Sequence, residues 1–474
     1  MRKFQIDLAS TFQRSARGSA ALLTLIGILI FSQMIIANTK ETTELITSEI
    51  IKNGQAYSNL KELVSRGSRL SGSKGAEKAV AWAKEKLESY HFDKVWMQEV
   101  MVPHWERGKT EEASYTKGEK GQLRIAALGT SIGTDDAGIE GEVIEVLSLD
   151  DAAKKGDQLK GKIVFYNGPM DPTLMDTFEA YGKAVSQRVG GASQAAKFGA
   201  VAVLVRSMTL NHDHYPHTGV MKYKSETEKI PAAAVATADA DRLSELLKTK
   251  KIHIRLKLSA KNFDLIKSHN VIGEIKGSEF PSEIILVGGH LDSWDLGPGA
   301  HDDGAGVVQS IEVLRAIKAL NIKPKRTLRV VLFMAEEFGG SGGAEYAKQA
   351  SSKNEKHIAA IESDRGGFTP RGFETNADEK TVKRIESWRT FFSPLKADLL
   401  KKGSGGSDIE PLKASGTVQF GLLPDSARYF DYHHTEIDKV DAVSSRELHL
   451  GAAAMAVLTV LLSEEGLQKP QEIP

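Results

Sequence analysis

The stretch EIILVGGHLDSWDLGPGAHDDGAGVVQSIEVLRAIKAL, Glu283 to Leu320, reads as three pieces. The apolar run IILV has the length and the β-branched content of a buried strand. A glycine-rich connection follows, Gly288 to Gly306, and beyond it apolar residues recur three and four apart, as on a helix. A connection needs turn formers, which Gly, Pro and Asp supply. It does not need two histidines and four aspartates, with His290 and Asp292 one residue apart.

Outward from that unit the same rhythm continues. NVIGEI, TLRVVLFMA, HIAAIESD and TVQFGLL read as strands, and GGAEYAKQA, DEKTVKRIESWRTFF and SSRELHLGAAAMAVLTVLLSEE as helices. Repeated strand and helix alternation with β-branched strands predicts an α/β fold, a mostly parallel central sheet covered by helices on both faces. Ligands of such sheets sit beyond the carboxyl ends of the strands. HLD after IILVGG, AEE after VVLFM and ESD after HIAAI all fall there, so the sheet gathers separate loops into one place.

Towards the N-terminus, residues 41–90 are helical in pattern, punctuated by GSRLSGSKG, and VWMQEVMVPHWERG alternates like a strand. Residues 138–259 carry their own alternation, GKIVFYN, SQAAKFG, AVAVLVRS, IPAAAVATADADRLSELLKT and IHIRLKLS, with no catalytic-looking cluster. The expected organisation is 1–37, an export segment; 38–137, the first part of the main domain; 138–259, an inserted domain; and 260–474, the rest of the main domain with the polar clusters.

The 474 residues, 62 Lys+Arg balanced by 62 Asp+Glu and 41% hydrophobic, are enough for a large core and more than one domain. Balanced charge excludes the concentrated basic face of a nucleic-acid binder. With no cysteine there is no disulfide, no thiolate nucleophile and no thiolate metal site, so any metal must be held by His, Asp and Glu. MRKFQ, Arg14 and Arg17 precede AALLTLIGILIF, the layout of a signal peptide with cleavage near Ala37. An uncleaved anchor has the same layout. Either way the chain is exported, periplasmic or secreted, and meets a membrane only if the segment stays attached.

Two cations held close together need imidazole and carboxylate donors, one of which bridges. The available groups are His290, Asp302, Glu337, Asp364 and His434. Asp292, two residues from His290 on an extended turn, is placed to bond its far ring nitrogen. Adjacent Glu336 and Glu337 can point in different directions, so that one binds metal while the other handles protons. The motifs GHLDSWDLGPGAHDDGAG, TLRVVLFMAEEFGGSGG, IESDRGG and YHHTEID resemble the co-catalytic zinc exopeptidase family of bacterial aminopeptidases and glutamate carboxypeptidase. RLSGSKG and VPHWERG resemble a carboxypeptidase branch of it, so the likeness spans nearly all of the exported chain.

The resemblance implies a zinc exopeptidase fold with a protease-associated domain as the insertion, and two zinc ions. Asp302 would bridge them, His290 and Asp364 would complete one site, Glu337 and His434 the other, and Glu336 would be the general base, with Asp292 supporting His290. The implied activity is hydrolysis of short peptides, dipeptides with a free N-terminus foremost; a homodimer is the expected assembly. An aminopeptidase for longer peptides, a non-catalytic receptor of this fold and a mono-zinc acyltransferase are the competing readings. Lys439 and Ile409 depart from the family pattern and bear on substrate preference.

Blander readings apply to the neighbours. Asp295 and Asp303 read as turn or cap residues, Glu345 and Tyr346 as the start of a helix, and the C-terminal apolar helix as core. His301, His433 and the HDHYPH cluster from His212 to His217 read as exposed loop residues.

Overall fold

The apolar runs assemble into two eight-stranded sheets in the computed structural model, which describes residues 39–467. The export segment expected at 1–37 lies outside the described residues. The first sheet runs in the order Lys94–Glu106, Lys261–Ile275, Arg326–Phe333, Phe280–His290, Lys356–Glu362, Val418–Pro424, Pro370–Thr375 and Leu399–Lys402. Its four middle strands, from Arg326–Phe333 to Val418–Pro424, are mutually parallel. The flanks pair antiparallel with this centre, so the sheet is mixed, and the polar clusters sit at its parallel middle.

Both faces of that centre are covered, because the strands alternate sides with a period of two. Ile285, Val287, Val330 and Leu332 point into the large core that includes the helices Ala305–Ala319 and Ser445–Glu465. Leu286, Val331, Phe333 and Ala360 point the other way, against Tyr346 and Ala350 of the helix Ser341–Ser352. The C-terminal helix is long and apolar enough to cross a membrane, yet it is mostly buried and packs on Ala305–Ala319, which makes it core as expected.

The second sheet is the insertion, in the order Gln122–Leu123, Glu111–Lys117, His253–Leu258, Ile139–Val146, Ile163–Tyr166, Ala202–Arg206, Ala232–Val235 and Ile125–Ala127. It reaches back beyond residue 138, where the sequence places the boundary. Of the strands at 111–127, the one in LRIAAL is expected from its apolar run, but which sheet they join is decided by pairing with His253–Leu258 and Ala232–Val235. The strands that enter and leave the insertion pair with each other, Glu106 opposite Lys261, forming its neck.

Candidate metal centre

His290 ends its strand between two partners, Arg326–Phe333 on one side and Lys356–Glu362 on the other. The chain crosses from one of these neighbours to the other, so their carboxyl-terminal loops flank His290, the crevice where α/β sheets bind ligands. The connection after His290 turns back tightly. Asp303, fully buried, accepts from the amides of His290 at 3.0 Å and Gly306 at 2.9 Å, and a side chain on Gly289 would collide with its carboxylate. Asp303 is therefore the turn residue and Asp302 its free neighbour; the peptide between them is cis.

Five side chains converge there. His290 Nε2 lies 3.3 Å from Asp302 Oδ1 and 3.2 Å from Asp364 Oδ1. His434 Nε2 lies 3.2 Å from Asp302 Oδ2 and 3.1 Å from Glu337 Oε2. The two oxygens of Asp302 thus face the two imidazoles, with one further carboxylate beside each. Burial works against charge on His434, but the Glu337 and Asp302 carboxylates together more than offset it, and the imidazole is pushed up to about 9. Glu337 Oε1 is buried with no hydrogen-bond partner among the described residues, and Asp302 Oδ2 meets only the imidazoles of His434 and His433, at 3.2 and 3.7 Å. Unpaired buried carboxylate oxygens are costly, and a donor set of imidazole and carboxylate with no thiolate suits zinc. The residues fit a metal pair.

The acidic pair after the neighbouring strand divides as the sequence suggests. Ala335 holds a left-handed backbone, φ 67°, which turns the chain just before it. Glu337 faces His434, while Glu336 accepts from Ser407 Oγ at 2.7 Å. Burial pushes the Glu336 carboxyl up to about 7, His290 opposing and Asp364 adding.

Asp292 differs from expectation. The chain bends at Leu291, so the Asp292 main-chain carbonyl accepts from His290 Nδ1 at 3.1 Å, and its carboxylate stays 3.7 Å from that nitrogen. The carboxylate accepts instead from the amides of Glu336, 3.1 Å, and Glu337, 3.4 Å, and so joins two loops of the site.

Three histidines read as loop decoration are buried: His217, His301 and His433. His301 stacks on Phe368 at 4.2 Å between centroids, and His433 stacks on His434 at 3.4 Å with Asp302 Oδ2 3.7 Å away. Loops that are folded back under an inserted domain bury what sequence polarity assigns to water. His212 and His214 do remain exposed. Asp295 is an ion-pair partner of Arg107.

Several supporting residues went unread. Arg69 of RLSGSKG, fully buried, bonds the carbonyls of Leu291 at 2.8 Å and Gly299 at 3.1 Å, and also that of Pro298, pinning the loop between His290 and Asp302. Asp438, the last residue of HTEID, accepts from the amides of His301 at 2.7 Å and Asp302 at 3.0 Å. Glu362 takes the Ile409 amide at 3.0 Å, and burial pushes it up to about 8, with Asp364 adding. Ile409, the departure from the family pattern, is itself buried in the core. The motif letters around each of these were the only signal available.

A family model, peptidase family M28, matches residues 270–459. Carboxypeptidase Q of Bos taurus is 36% identical over 412 residues, 86% of this chain and 85% of its own length. The chain belongs to peptidase family M28. Carboxypeptidase Q of Homo sapiens is 37% identical over 412 residues, again 86% of this chain and 85% of the relative. A peptidase M28 precursor from Shewanella amazonensis SB2B superposes with a TM-score of 0.87 at 34% identity, covering 92% of this chain and 99% of that one. A zinc aminopeptidase from Bacillus subtilis, 22% identical, shares the fold with a TM-score of 0.62 over 85% and 95% of the two chains. The M28 chain described here is thus a peptidase of mixed α/β fold.

Proposed function

We propose that this M28 peptidase is a two-zinc exopeptidase that hydrolyses short peptides, dipeptides with a free N-terminus foremost. The observation that supports it is the two-faced placement of Asp302, one oxygen towards His290 and one towards His434, with Asp364 and Glu337 beside them. His290, Asp302 and Asp364 would hold one ion, and Asp302, Glu337 and His434 the other. A bound zinc pair supplies Lewis acidity to the scissile carbonyl and acidifies water. Glu336 takes the proton from the attacking water and hands it to the leaving amine nitrogen, which departs badly unless protonated. The inserted unit acts as a protease-associated domain, and the segment at 1–37 directs export.

Zinc stoichiometry, with a panel of free and blocked dipeptides, tests the reading. A site that receives an ammonium group keeps a buried acceptor for it, and leaving such a group unpaired costs about 1–3 kcal/mol. Acetylating a good dipeptide is therefore expected to lower kcat/KM by roughly 10–100-fold. Equal rates for free and acetylated forms, or efficient internal cleavage of a long unstructured peptide, would overturn exopeptidase action and leave the hydrolase.

Asp292→Asn removes a carboxylate that orients two loops without being a ligand. The expected result is retained zinc and a loss of about 10–100-fold in activity, the usual scale for outer partners of a metal site. Complete zinc loss, equal to that of His290→Ala, would make Asp292 a ligand.

A further inference from the structure

We infer that Arg107 is a positioning residue through which the inserted unit sets the ring of His434; the inference rests on the proposed role of His434 as a ligand. Arg107 lies one residue beyond the strand Lys94–Glu106, at the neck of the insertion. Its guanidinium is buried and bonds four separate segments. Nε and Nη2 grip Asp295 bidentately, at 2.8 and 2.7 Å. Nη1 reaches Glu111 at 2.9 Å and the Ala127 carbonyl at 2.6 Å, and Nη2 also reaches Thr218 Oγ1 at 3.2 Å.

Thr218 is the link to the metal centre. It is fully buried, and its hydroxyl donates to the same Ala127 carbonyl at 2.8 Å. Its amide donates to the His434 carbonyl at 3.2 Å, and its own carbonyl faces His434 Nδ1 at 3.1 Å. A carbonyl only accepts, so Nδ1 carries a proton and Nε2, which faces Asp302 and Glu337, is the nitrogen that would bind a metal. His434 has a left-handed backbone, φ 62°, a conformation it does not favour by itself, and the two-point grip of Thr218 holds it there. Asp295 belongs to the connection between His290 and Asp302. One guanidinium therefore fastens the loop of the first ligands to the carbonyl that fixes the last.

The hold is one-sided. His290 takes its orientation from Asp292 of its own loop, with Arg69 pinning that loop, and neither contact involves the insertion. Arg69 still pins the His290 loop when Asp295 loses its fork, so loss of the Arg107 node is expected to weaken the ion on the His434 side.

The test measures the affinity of the full-length protein for Zn²⁺ alone, by chelator competition, in Arg107→Lys and Thr218→Val. Lysine keeps the charge but not the fork, and valine keeps the shape of threonine but not its hydroxyl, so neither strands Asp295 and Glu111 as Arg107→Met would. One of two zinc ions should bind about 10–100-fold more weakly in both variants, the other unchanged. ¹⁵N-histidine spectra of the zinc-loaded proteins should show His434 protonated on Nδ1 and bound through Nε2 in the wild type, and a mixture of the two tautomers in the variants. Unchanged affinity for both ions, equal loss of both, or an unaltered His434 tautomer would overturn the inference. A wild-type protein that binds no zinc would instead overturn the ligand reading itself, and it is recognised before any variant is made.

Discussion

Glu336→Gln should lose about 10²–10⁴-fold in kcat, the scale of general acid–base catalysis, while keeping its full zinc content. Glutamine preserves the shape and still accepts from Ser407, but its amide cannot take a proton from water. The side chain is aimed away from His434, whose neighbour is Glu337, so its loss subtracts no ligand. Its backbone amide, not its side chain, bonds Asp292, so the loop should stay in place. Measuring zinc by atomic absorption beside dipeptide turnover checks both halves at once. Near-normal turnover with zinc bound would remove Glu336 from the proton-handling role, and Asp364 or Glu337 would not replace it without surrendering a ligand.

Asp302→Ala should abolish both zinc binding and activity, a larger change than deletion of any other single donor. Its two oxygens serve two different imidazoles, so removing the residue takes a donor from each side, whereas Glu337→Gln takes one from the His434 side only. The measurement is thermal unfolding with and without zinc. An ion that binds the folded chain stabilises it by about 2.7 kcal/mol at a hundredfold excess over Kd, so the wild type should melt higher with zinc. Asp302→Ala should melt at one temperature regardless of zinc. A zinc-dependent rise in the variant equal to that of the wild type would show that Asp302 is not shared.

The relatives divide between carboxypeptidase and aminopeptidase names, which is why the blocked-dipeptide panel carries more weight than further comparison of the fold. The same scaffold accommodates attack near either end of a peptide, and the end chosen depends on where ammonium or carboxylate acceptors stand relative to the cleft. The insertion supplies part of that wall, since His217, Thr218 and Tyr181 all come close to His433 or His434.

What the sequence determined alone was the periodic part and the donors. IILV, VVLF and HIAAI announce buried parallel strands because each is a short apolar run, and the polar letters at their ends fall where such strands deliver ligands. That His290, Asp302, Glu336, Glu337, Asp364 and His434 come together was legible from the motifs, with the proposed role of each supplied by the family resemblance. The strands Pro370–Thr375 and Leu399–Lys402 were not, being short and lacking alternation, and their place at the sheet edge depends on pairing with Val418–Pro424 and with each other. Only the tertiary structure decided that the Asp292 carboxylate turns to the amides of Glu336 and Glu337, because a bend at one residue redirects a side chain without altering the letters. It likewise decided that Thr218, 216 positions from His434, fixes that ring through a main-chain carbonyl. Every residue but proline carries the same amide and carbonyl, so a main-chain contact leaves no mark on residue identity. The burial of His433 against Tyr181 of the insertion, and of His301 between Phe368 and Tyr432, is a long-range packing outcome that local polarity does not encode.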